Sequence, residues 1–244
     1  MRVSAVWSTD DSNMAWLDDD SSNRSTGADG RGKRPARDDN AEFRARIDGA
    51  VAHLRSRDPV LCKLIDHHGP CTLVAQSNYF PVLVETVISQ QLSTHAAKAI
   101  YLRLTGVVGR RAPRPVDILE IPDDKFLEIG FSRPKVRYVK NVAEVFRSRR
   151  MGPKSFGSMS DEEVTELLTS IKGIGQWSAH MFLIFALGRL DVFPVGDLGL
   201  RNALARAYRL RKPPSLDRLQ RIGDKWRPYR TIGTWYLWES YDNG

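Results

Sequence analysis

Leu168-Thr169-Ser170-Ile171-Lys172-Gly173-Ile174-Gly175-Gln176-Trp177-Ser178-Ala179 decides how the rest of this chain is read. Two glycines flanking one apolar residue favour a tight turn, because glycine enters left-handed backbone at no steric cost. Upstream, Val164, Leu167, Leu168 and Ile171 line one face of a helix. Its start is marked by Ser160-Asp161-Glu162-Glu163, a capping box in which the Ser160 hydroxyl accepts from the Glu163 amide and Glu163 reaches back. Downstream a second helix starts near Gln176 and buries some of Trp177, Phe182 and Phe185. A helical hairpin over about 161–187 follows. Its Gly-x-Gly turn offers bare backbone N–H groups at the positive end of a helix, which suits a phosphate oxygen. A plain αα-hairpin would account for a lone Gly-x-Gly equally well.

Helical patterning continues on both sides. Residues 42–57 form an amphipathic segment ended by Asp58-Pro59. Phe80, Leu83, Val84, Val87 and Ile88 recur at i, i+3, i+4, i+7 and i+8, one helical face. Gln90-Gln91-Leu92 interrupts that run, and Ser93 can cap a further helix with Ala96, Ala97, Ile100 and Leu104 inward. Pro113, Pro115 and Pro122 predict a loop and short turns, while Asp123–Ile129 and Pro134–Arg147 read as two more helices, the second with Pro in its first turn. No stretch alternates like a strand. The fold class is all-α.

The 244 residues include 37 Lys/Arg and 29 Asp/Glu, a net charge of +8. The distribution is uneven: residues 1–40 hold six basic and eight acidic residues, leaving 31 basic against 21 acidic from 41 onward. A basic folded part behind a polar, Asp- and Ser-rich tail predicts a disordered 1–40 and a helical domain over 41–244, with a polyanion as partner. Nucleic acid comes first among polyanions and an acidic membrane second. No apolar run approaches membrane-spanning length and no secretory leader is visible, so a soluble intracellular protein is expected. Only Cys62 and Cys71 are present, and the five histidines show no metal-ligand spacing; His67-His68 beside Gly69-Pro70 reads as a turn.

One carboxylate stands out. Asp197 precedes the helical run Leu198-Gly199-Leu200-Arg201-Asn202-Ala203-Leu204 and is placed as an N-cap. The same position suits catalysis, since a helix N-terminus keeps a carboxylate ionised and an anion stabilises an oxocarbenium-like sugar.

The order hairpin, then Pro194-Val195-Gly196-Asp197 about twenty residues on, resembles the helix-hairpin-helix DNA glycosylase superfamily, and within it the 3-methyladenine DNA glycosylase II group. The resemblance spans about residues 78–240. It includes Val87-Ile88-Ser89-Gln90-Gln91-Leu92-Ser93, Gly130-Phe131-Ser132-Arg133-Pro134-Lys135, the hairpin, Trp226-Arg227-Pro228-Tyr229-Arg230 and Trp235-Tyr236-Leu237-Trp238. It implies two helical lobes with the active site in the cleft between them, and hydrolysis of the N-glycosidic bond of alkylated purines such as 3-methyladenine and 7-methylguanine. Asp197 would be catalytic, with Trp177, Met181 and Trp238 walling the base pocket; relatives carry an aromatic residue where this chain has Met181. Gln90, Gln91, Leu92, Ser93, Gly173, Gly175 and Ser178 would contact DNA, and Gln91 or Leu92 would fill the gap left by the flipped base. Backbone carbonyls of Thr169, Ile171 and Ile174 would hold a monovalent cation.

Bifunctional members carry a Lys where this chain has Trp177, so water is the expected nucleophile, with no lyase activity. Too few cysteines remain for the iron–sulfur cluster of some relatives. A monomer acting on damaged double-stranded DNA is expected, in the cytoplasm (nucleoid) if bacterial and the nucleus if eukaryotic. The competing readings are a non-catalytic hairpin module that tethers DNA, and a glycosylase for a neutral lesion such as hypoxanthine.

Overall fold

The computed structural model describes residues 36–149 and 151–242, all helix, turn or loop with no strand among them. The first helix, α1, is Ala36–Arg57; it begins before Ala41, and the rest of the expected tail lies outside the described residues. α2 (Pro59–His68) follows after a single residue: Asp58 ends α1 and caps α2, its Oδ1 accepting from the Val60 and Leu61 amides. The histidine pair thus closes a helix, and Gly69, at φ +73°, makes the turn beyond it.

α3 (Tyr79–Ser89) is the central helix. Every residue from Phe80 to Ser89 is buried, not only the face that the periodicity picked out. A helix covered on all sides belongs in a core, and α3 packs against α4 (Thr94–Val108), α7 (Arg133–Arg149) and α10 (Gln176–Phe185). Ser93 caps α4 as its position implies, accepting from the Ala96 amide. The proline region differs from expectation. Pro115–Glu120 forms a short helix, α5, because Pro115 sits in the first turn and Asp117 bonds back to the Arg114 amide. α6 (Asp123–Glu128) leads into α7.

After the four-residue α8 (Pro153–Phe156), α9 (Asp161–Thr169) and α10 make the hairpin. The capping box is formed in both directions, Ser160 Oγ from the Glu163 amide at 3.2 Å and Glu163 Oε2 from the Ser160 amide at 2.7 Å. α11 (Leu198–Ala207), α12 (Leu216–Gly223), a 3₁₀ turn (Asp224–Trp226) and α13 (Arg230–Asp242) complete the chain. α13 packs on α11, α2 and α1, so the two ends of the described chain share one group of helices. α3, α4, α5, α6, α7, α9 and α10 make the other. Phe185 stacks on Trp238 across the two groups, ring centroids 6.0 Å apart and 19° from parallel.

Candidate active site

A cavity of about 700 Å³ opens where four segments meet: the end of α3 with its Gln turn, the start of α7, the hairpin, and the residues around Asp197. Asp197 is 2% exposed. It caps α11 as the sequence implies, Oδ1 accepting from the Leu200 amide at 2.5 Å. Two further donors reach it from distant elements. Trp238 Nε1 on α13 donates to Oδ1 at 3.0 Å, and Trp177 Nε1 on α10 donates to Oδ2 at 2.8 Å. Asp191, six residues earlier, is tied up differently: Arg230 Nε and Arg227 donate to its two oxygens at 2.7 and 2.9 Å.

The aromatic wall needs correction. Trp177 lines the cavity, half-buried. Met181 does not; it is 0% exposed, inside the core. Trp238 is 1% exposed, covered on one face by Phe185, and its Nε1 donates to Asp197, which lines the cavity. Both lie one layer behind the wall, because α13 and the inward face of α10 pack there. Tyr138 on α7 supplies the cavity's second aromatic lining residue.

The expected DNA-contacting residues divide into two sets. Gln90, Gln91, Gly175 and Ser178 line the cavity. Gln91 is exposed and sits at φ +58°, an unusual conformation for a side-chain-bearing residue and common at functional turns. Leu92 is half-buried against the core, its amide donating to the Ser89 carbonyl at 3.1 Å. Ser93 is committed to capping α4. Gln90 ties the turn to the hairpin, Nε2 donating to the Gly173 carbonyl at 3.0 Å and to Ser178 Oγ at 3.1 Å. Gly173 has φ +105°, and a Cβ there would stand 2.2 Å from Tyr138 Cγ, so only glycine lets hairpin and α7 approach this closely.

Sequence reasoning missed the contribution of α7. Ser132, Pro134, Lys135 and Tyr138 all face the cavity. Lys135 Nζ donates to the Ile88 carbonyl at 2.7 Å, placing a cation on the negative end of α3. Burial lowers the Lys135 ammonium below the ordinary lysine range. The block Gly130–Lys135 carried the family resemblance, but nothing in its spacing said which way the start of α7 points. Leu198 and Gly196 flank Asp197 on the same wall, Leu198 with 57% of its surface exposed.

The fold and this site define a base excision DNA repair protein: residues 84–228 match the HhH-GPD superfamily, and the chain belongs to that family. Among individual relatives, it is 33% identical to the alkylbase DNA glycosidase-like protein mag2 of Schizosaccharomyces pombe, over 78% of this chain and 92% of the relative. It is 35% identical to DNA-3-methyladenine glycosylase 1 of the same yeast, over 74% of this chain and 80% of the relative. Of solved structures, S. pombe 3-methyladenine DNA glycosylase (Mag1) in complex with abasic DNA superposes with TM-score 0.74 at 33% identity, covering 78% of this chain and 95% of that one. A DNA-3-methyladenine glycosidase from Bacillus halodurans gives 0.66 at 35% identity, covering 79% and 88%.

Proposed function

We propose that this protein is a monofunctional DNA glycosylase that releases alkylated purines from duplex DNA by hydrolysis. The observation that carries the reading is the buried, fully oriented Asp197 carboxylate on the wall of a cavity large enough for a flipped purine. An extruded nucleotide places its sugar against that wall. As the C1′–N bond breaks, positive charge gathers on the sugar, and a fixed anion in a water-poor site stabilises it far more than bulk water would. Water then adds to C1′, its proton is lost to solvent or base, and an abasic site remains.

Trp177 has no amine, so the position where bifunctional members carry Lys supplies no Schiff-base nucleophile, and the hairpin's Lys172 is not among the residues lining the cavity. The substrates we propose are 3-methyladenine and 7-methylguanine, whose positive charge makes them good leaving groups without an acid. Trp177 and Tyr138 give such a base electron-rich lining. The Gly175 amide would hold a phosphate at the hairpin, with the buried Ser178 bracing the turn through Gln90 Nε2, and Gln91, exposed at the tip of its turn, would enter the stack in place of the flipped base. The two helix groups would act as lobes gripping DNA across the cavity, as a monomer, in whichever compartment holds the genome: nucleoid or nucleus.

Carbonyls of Thr169, Ile171 and Ile174 fit a monovalent cation in kind, since hard cations take oxygen ligands. The Ile171 carbonyl accepts the Ile174 amide at 3.0 Å and keeps a second lone pair. Such an ion would brace the hairpin turn against phosphate. No role for an iron–sulfur cluster is proposed.

Lys135 favours a second reading. Its ammonium is a proton donor on the cavity wall, which a neutral leaving base such as hypoxanthine would need. The test of both is base release from methylated and hypoxanthine-containing duplexes, products identified by chromatography, with Lys135→Met alongside. The first reading expects methylated purines to leave faster, strand breaks only after alkali, and no borohydride-trapped adduct. Faster hypoxanthine release that collapses in Lys135→Met would establish the second.

A further inference from the structure

We infer that Trp177 and Trp238 act in the reaction as positioning residues, their indole N–H groups holding the Asp197 carboxylate. The inference rests on the reading of Asp197 as the catalytic carboxylate. An ionised carboxylate offers about four lone-pair sites. Three are filled here: Leu200 N and Trp238 Nε1 take Oδ1, and Trp177 Nε1 takes Oδ2. One site on Oδ2 is left, on the oxygen whose one hydrogen-bond donor among the described residues, Trp177, itself lines the cavity.

Capping a helix requires one carboxylate oxygen and one amide, and Leu200 already satisfies it. The indoles add something capping does not need. They come from α10 and α13, 20 and 41 residues away along the chain, and converge on a group with 2% exposure. Hydrogen bonds to a charged group in such a place are roughly twice as strong as neutral ones. They fix the plane of the carboxylate and remove its freedom to rotate toward the helix end. Stacking on a base is no role for Trp238, which is buried against Phe185. At both positions the N–H is spent on the Asp197 carboxylate.

The test removes the N–H and keeps the ring. Trp177 and Trp238 are replaced one at a time by benzothienylalanine, which substitutes sulfur for the indole N–H, and separately by Trp177→Phe and Trp238→Phe. With 7-methylguanine release from methylated duplex as the assay, run well below the melting transition, each sulfur analogue should lower kcat about tenfold or more while KM stays near wild type and the thermal midpoint falls by only a few degrees. In an Asp197→Asn background the same replacements should cost nothing further. A wild-type kcat in the analogues, or an equal loss in the Asp197→Asn background, would overturn the inference. A second measurement needs no turnover. In the ¹⁵N-labelled protein, the indole resonances of Trp177 and Trp238 should both move in Asp197→Asn, while that of Trp226, bonded to Asp58, stays. Moving resonances in a protein that releases no base would keep the clamp and refute the glycosylase reading; static resonances would refute the clamp itself.

Discussion

Glu85 shows what burial does to a single residue of this chain. It lies in the all-buried α3, and desolvation pushes its carboxyl from 4.5 up to about 8, with Lys98 pulling weakly the other way. A raised folded-state value means that the native state prefers the protonated acid. Its contribution is fully present below about pH 4.5 and is lost as pH climbs toward 8, by up to about 1.4 kcal/mol per unit. Glu85→Gln removes that loss. Relative to wild type, its thermal midpoint should rise between pH 5 and pH 8; a gap that stays constant across that range contradicts the assignment. Asp197, by contrast, was legible from its place before a helical run. Trp238 was legible as a site residue but not in its role. Whether an indole presents its face or its N–H depends on how α13 meets α10, which no spacing along the chain encodes.

At the scale of elements, the hairpin was the most readable part, since its cap, apolar face and glycine turn are all local signals. The two glycines have different duties, however. Gly173→Ala would force a Cβ into the Tyr138 ring at φ +105°. It should cost about 3 kcal/mol or more, a midpoint lower by roughly 6–12 °C, and weaken DNA binding with it. Gly175 has ordinary backbone, and its Cβ would meet nothing within 4 Å. Gly175→Ala should change stability by at most about 1 kcal/mol, yet weaken duplex binding several-fold by placing a methyl where a phosphate approaches. Paired melting curves and affinity titrations check this; equal behaviour of the two variants would refute the division. The start of α7 was the least readable element. Pro134 announced a helix, but its direction toward the cavity is set by Lys135 on the Ile88 carbonyl and Asn141 Nδ2 on the Lys172 carbonyl, both long-range bonds.

For the whole molecule, all-α architecture followed from periodicity because helices write their inward faces every three to four residues. The short helix at Pro115–Glu120, the α2 helix and the assembly of α1 and α2 with α11 and α13 did not, since packing between distant segments leaves no local pattern. The net charge of +8 belongs to this scale as well. Binding to undamaged duplex should weaken steeply with salt, with a log–log slope steeper than about −3, as expected if the hairpin and turn release several counterions from phosphates. A slope near zero would rule out phosphate-led docking. The central claim is that the Asp197 charge drives bond breakage, and single-turnover release of 7-methylguanine by Asp197→Asn tests it most directly. The account predicts a loss of about a hundredfold or more with duplex affinity unchanged or improved. Activity above a tenth of wild type, in a variant that folds and binds normally, would contradict it.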